Sequence, residues 1–98
     1  MDAKPIIMTV GFQARPGKES ELREALTGVL APTRHEDGCL FYDLHVAADD
    51  QSKFLFHESW ASDAHHDAHD RTPHIQELRA RIRELSLPAV KTWWTKIG

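Results

Sequence analysis

The run CLFYDLHVAADDQSKFLFHESW, from Cys39 to Trp60, decides the fold. Its first part alternates. Leu40, Tyr42, Leu44 and Val46 fall on one side of an extended chain, and Cys39, Phe41, Asp43 and His45 on the other. Lys53 to Trp60 repeats the pattern, with Phe54, Phe56, Glu58 and Trp60 on a common side. The polar link Ala47 to Ser52 is short enough for a hairpin, so the two runs are expected to pair antiparallel. Glu36-Asp37-Gly38 marks a turn ahead of them.

Upstream, Ile6 to Ala14 reads as another strand. Ile6, Met8, Val10 and Phe12 recur at every second position, and Arg15-Pro16-Gly17 ends the run. Leu22, Ala25, Leu26, Val29 and Leu30 then form the apolar stripe of a helix. Glu19 and Glu21 sit where its dipole favours acids, and Pro32 disturbs its last turn. Downstream, Ser62 is a good N-cap for a second helix. Thr72-Pro73 restarts that helix, and Ile75, Leu78, Ile82 and Leu85 carry its stripe. Leu87-Pro88 breaks the chain before a final strand, Ala89 to Ile97, with Val90, Thr92 and Trp94 opposite Trp93 and Thr95. The order βαββαβ predicts an α+β, ferredoxin-like unit: a four-stranded antiparallel sheet with its helices on one face. Residues 1–98 are expected to form a single domain.

Helices on one face leave the other face of the sheet bare, and both parities of several strands are apolar. The simplest cover is a second copy, sheet against sheet, about a two-fold axis. A homodimer is therefore expected, with a small-molecule cavity between sheet and helices inside each subunit. A net charge of −3 with scattered Lys and Arg gives no electrostatic case for nucleic acid or an anionic membrane. No apolar run approaches the roughly 20 residues of a membrane span. Met1-Asp2-Ala3-Lys4-Pro5 lacks a signal-peptide core, so a cytoplasmic location is expected. The lone Cys39 rules out an internal disulfide and reads as a small buried apolar residue.

Chemistry concentrates between His57 and His74, which holds five of the seven histidines. Glu58 and Trp60 share a strand face. If that face meets the helices, Glu58 is a carboxylate in semi-apolar surroundings, fit to accept a proton or to hold a histidine; the alternative is a structural ion pair. His65 and His69 stand at i, i+4 on a helix, with His57 or Glu58 as a third candidate metal ligand. That pattern lacks the Glu beside the first His and a defined third ligand, and no metal is assigned. His69 and His74 bracket the break at Thr72-Pro73, where helix and sheet can part to open a pocket. Tyr42 and Phe41 point to opposite faces, as do Trp93 and Trp94. Tyr42, Phe56, His74 and Trp94 are expected to line the substrate, with His69, Glu58 and Trp60 as catalytic candidates. His35 and His45 are expected at the surface. There is no phosphate loop, dinucleotide fingerprint, nucleophile elbow or Cys-pair metal motif.

Taken together, several segments resemble the antibiotic biosynthesis monooxygenase (ABM) superfamily of small dimeric α+β barrels. They are Arg15-Pro16-Gly17-Lys18, Glu36-Asp37-Gly38-Cys39-Leu40-Phe41-Tyr42, Glu58-Ser59-Trp60-Ala61-Ser62, His69 and Pro73-His74. The resemblance implies a homodimeric barrel and, for many members, oxidation of small quinols or polyketide phenols by O2 without metal, flavin or haem. It maps family positions onto Glu58, Trp60, His69 and His74. Haem-degrading and polyketide-oxidising members use an Asn, and this chain contains none. Gln13 is the nearest strand amide in type, and its parity points it away from the pocket. The expected function is a cofactor-independent monooxygenase of a small aromatic, quinol-type substrate. The alternative is a non-catalytic dimer of the same fold that binds a small hydrophobic molecule.

Overall fold

The structure is a computed structural model that describes residues 4–98. The Met1–Ala3 start, part of the leader reading above, lies outside the described residues. The elements are β1 (Ile6–Gln13), α1 (Glu19–Thr27), α2 (Leu30–Arg34), β2 (Cys39–Ala47), β3 (Asp50–Trp60), α3 (Asp63–Asp70), α4 (Pro73–Leu85) and β4 (Val90–Trp94). The strands form one antiparallel sheet in the order β2-β3-β1-β4. This is the ferredoxin-like α+β arrangement expected from the element order.

Pairing register defines two faces, because residues directly opposite each other in a sheet point the same way. Tyr42, Glu58, Met8 and Trp93 form one row toward the helices. Leu44, Phe56, Val10 and Lys91 form the next, and Val46, Phe54 and Phe12 a third. Leu22, Leu26, Ile75 and Leu85 close the core from the helix layer. The open face carries rows such as Phe41, Ser59, Ile7 and Trp94, or His45, Leu55, Gly11 and Val90.

Several local expectations are corrected. In β2, Cys39 pairs with Trp60 but Phe41 pairs with Ser59, so Leu40 is an extra, bulged residue. The bulge shifts parity: Cys39 packs toward the core, whereas Leu40 is 55% exposed. The single helix expected up to Leu30 is instead two, α1 and α2, parted at Gly28. Pro32 then lies in the first turn of α2, where a missing N–H costs nothing. The final strand stops at Trp94 rather than Ile97.

Gly38 connects α2 to β2 with φ of +79°, in the left-handed region. An added Cβ there would lie 2.3 Å from the His65 ring. Gly38→Ala is expected to destabilise the fold by about 2 kcal/mol or more, read from urea unfolding.

Candidate functional site

Ser62 starts α3. Its hydroxyl accepts from the His65 backbone N–H at 3.3 Å and meets His65 Nδ1 at 2.7 Å. This cap fixes the helix phase. His65 faces the Asp37 carboxylate at 3.4 Å, while His66 and His69 turn toward the sheet. Thr72 caps α4 in an extended conformation, with Pro73 at the first helical position. Its hydroxyl donates to the His69 carbonyl at 2.8 Å, which ties the two helices together at the break.

Between these helices and the sheet lies a cavity of about 120 Å³. Its floor is Met8, Val10, Phe12, Tyr42, Phe56 and Glu58. His66, His69 and Asp70 of α3 line one wall, and Ile75, Leu78, Arg79 and Ile82 of α4 another. Ala89 and Lys91 close it along the edge strand. The size is somewhat below the roughly 150 Å³ of an apolar cavity known to take benzene, which is the scale of a single ring.

Glu58 is 2% exposed. Its Oε1 accepts from Trp60 Nε1 at 3.0 Å and lies 4.0 Å from His66 Nε2. Burial raises the Glu58 pKa to about 7, against the Trp60 hydrogen bond, which lowers it. Asp70 and Glu36 push it further up, and Lys91 pulls it down. Glu58 is thus a carboxyl group poised to gain or lose a proton near neutrality. His69 is 4% exposed, and burial lowers its pKa, with Glu36 opposing. At neutral pH it is therefore an uncharged imidazole able to take a proton. Its ring lies 4.5 Å from Trp60 and 5.5 Å from Tyr42 between centroids. Burial drives the Tyr42 pKa upward, so this side chain stays a neutral phenol. Cys39, partly buried rather than buried as expected, is also shifted upward, by burial first, which disfavours the thiolate.

Tyr42, Phe56, Glu58 and His69 therefore meet around one cavity. Trp60 does not line it; fully buried, it backs His69 and donates to Glu58. His74 sits outside the lining, its Nε2 2.8 Å from Glu36 Oε2. Trp94 lies on the open face, paired with Ile7, and its Nε1 donates to Thr9 Oγ1 at 2.9 Å. The two adjacent tryptophans do divide between the faces, but in the opposite sense to the expected one, because Trp93 pairs with buried Met8. Gln13 points away from the cavity, as expected, and its amide donates to Ser52 Oγ at 2.6 Å.

His65 and His69 do not converge, and His57 packs edge-to-face on Phe41 on the open face, with ring centroids 4.8 Å apart. Two other groups bring three ligand-type atoms within 4.8 Å of one another: Glu36 with His69 and His74, and His66 with Asp67 and Asp70. In the first, Glu36 Oε2 is 2.8 Å from both ring nitrogens, which is hydrogen-bond geometry. Sequence reading missed the site role of Glu36, placed there in a turn and in a segment of the family resemblance, and that of His66, one helical position from the pair it singled out. Asp70, which lines the same wall, lies 2.8 Å from Arg79 and 3.8 Å from His66.

The model of the family described as "Antibiotic biosynthesis monooxygenase" matches residues 5–81. The protein Rv0793 of Mycobacterium tuberculosis is 40% identical over 81 residues, covering 83% of this chain and 79% of that protein. Its structure superposes with a TM-score of 0.90, covering 97% of each chain. The crystal structure of PA3566 from Pseudomonas aeruginosa gives a TM-score of 0.94 at 28% identity, over 100% of this chain and 99% of that one. With the family match spanning most of its length and the fold shared throughout, the chain belongs to the antibiotic biosynthesis monooxygenase family.

Proposed function

We propose that this protein is a monooxygenase that oxidises a small, single-ring quinol or related phenol with O2, the substrate itself supplying the electrons. The observation that carries the reading is the pairing of a neutral His69 with a Glu58 carboxyl of pKa about 7 around one largely apolar cavity. His69 takes the phenolic proton. The electron-rich anion passes one electron to O2, and the resulting radical pair joins at a ring carbon. The peroxide so formed takes up a proton, and its O–O bond then breaks as the ring C–H proton leaves. One oxygen atom stays on the ring as a carbonyl and the other departs as water. For a hydroquinone the balance is quinol plus O2 giving a hydroxylated quinone plus water. Met8, Phe56 and Tyr42 keep bulk water from the reactive pair. Membership of the family supports this reaction class, as does the description of Rv0793 as a candidate monooxygenase.

The working unit in this reading is a homodimer in the cytoplasm. Leu55, Val90 and Trp94 are exposed on the open face, and a second copy placed sheet to sheet would cover them. Among the described residues no helix is long and apolar enough to cross a membrane.

The test is oxygen uptake by metal-stripped protein against a panel of hydroquinones and polyphenols. Uptake above autoxidation, in step with quinol loss, is expected. Uptake equal to autoxidation would overturn the proposal. Two features favour a second reading as a non-catalytic binder: the chain has no Asn, and Trp60 does not reach the cavity. A binder would show ligand-dependent stabilisation with no oxygen consumed.

A further inference from the structure

We infer that Glu36 is a positioning residue for His69: its carboxylate, anchored by His74, holds the His69 ring protonated on Nδ1 and leaves Nε2 bare toward the cavity. Oε2 of Glu36 lies 2.8 Å from His69 Nδ1 and 2.8 Å from His74 Nε2. A carboxylate only accepts, so both of these nitrogens carry hydrogen. A neutral imidazole has one N–H, and in His69 it is therefore on Nδ1. The lone pair is left on Nε2, which has no hydrogen-bond partner among the described residues.

The arrangement is held from three sides. Glu36 follows α2, His69 lies in the last turn of α3, and His74 in the first turn of α4. Thr72 bridges the last two: its hydroxyl donates to the His69 carbonyl and stands 3.3 Å from His74 Nε2. The Glu36 and His69 side chains are 13% and 5% exposed, so water competes little for their hydrogen bond. Of the titratable groups around the ring, Tyr42, His66 and His74 have centroids 5.5, 5.9 and 6.3 Å away, and Asp70 acts on it through charge alone. Glu36 is the anion in direct contact. It would also stabilise the imidazolium that forms when Nε2 takes a proton, the logic by which a buried carboxylate serves a catalytic histidine.

The kinetic consequence rests on the proposed role of His69 as base; the tautomer does not. The first experiment is a long-range 1H–15N spectrum of the histidine rings in the metal-stripped wild-type protein, which needs no substrate. We expect a protonated Nδ1 and a bare Nε2 for His69. A wild-type ring protonated on Nε2 would overturn the inference. So would a divalent cation retained stoichiometrically through chelation, because the three atoms would then be ligands rather than donors and acceptor. In Glu36→Leu, the His69 signals are expected to move toward the Nε2–H form and its titration to lower pH. An unchanged ring would overturn the inference as well. If oxygen uptake is found, Glu36→Leu should lower kcat by on the order of 10²-fold, approaching but not exceeding the loss in His69→Ala. His74→Ala, which leaves the carboxylate in place, should keep the tautomer and lose less. A correct tautomer in a protein that consumes no oxygen would retain Glu36 as the positioning group and sink the oxygenase reading alone.

Discussion

Replacing His69 by Ala is expected to lower quinol-dependent oxygen uptake by about 10²-fold or more, the usual scale for loss of a general base. The ring lines the cavity, is uncharged at neutral pH, and offers one nitrogen without a hydrogen-bond partner among the described residues. Truncation also removes a buried ring from between Trp60 and Tyr42, so rates need normalising to folded protein, with His69→Gln as a second, larger replacement. Ligand binding, read from melting shifts, should change far less than turnover, since Met8, Phe56, Ile75 and Leu78 still form the apolar walls. Turnover that survives the substitution would remove His69 from the base role and move it to Glu58.

The second large effect concerns stability against pH. The Glu58 carboxyl titrates at about 7 in the fold against 4.5 as its ordinary value. A raised pKa means the folded protein holds this proton more tightly than the unfolded chain does. The stabilisation is fully present below pH 4.5 and is lost as pH rises through about 7. The span corresponds to about 3 kcal/mol. His69 runs the other way. Its pKa is depressed, so its contribution is present above its ordinary value of 6.5 and is lost as pH falls. A wild-type profile therefore mixes two opposed slopes, and a difference profile separates them. Glu58→Gln keeps an acceptor for Trp60 Nε1 but cannot ionise. Its stability relative to wild type should rise by about 3 kcal/mol between pH 4 and pH 8, measured by urea unfolding at each pH. A constant difference across that range would mean that Glu58 titrates in the fold as it does in the unfolded chain.

The hairpin shows how far sequence carried the reading. Alternation placed Phe54, Phe56, Glu58 and Trp60 on one face, and all four are buried there. The bulge at Leu40 left no trace, because Cys39 and Leu40 are both apolar and either register satisfies the pattern. Trp93 and Trp94 present the same degeneracy on an edge strand, so alternation divided them without telling which faced inward. The helix phase was equally underdetermined. His65 and His66 differ by one position, about 100° of rotation, and the Ser62 cap sets which of them meets the sheet. Glu36 was out of reach for another reason. Its partners lie 33 and 38 residues away, and nothing local distinguishes a turn glutamate from one that gathers two histidines.

The short edge strand β4 has one further consequence. Lys91 borders the cavity from it, while Val90 and Trp94, on either side in sequence, face outward with the open rows of the sheet. Among the described residues this strand pairs with β1 alone. A five-residue ribbon fastened along one margin works as a shared wall: whatever stiffens or loosens it from outside alters the enclosure within. An occupant of the interior and a contact on the exterior would thus bear on one peptide ribbon, and any coupling between them would be reciprocal.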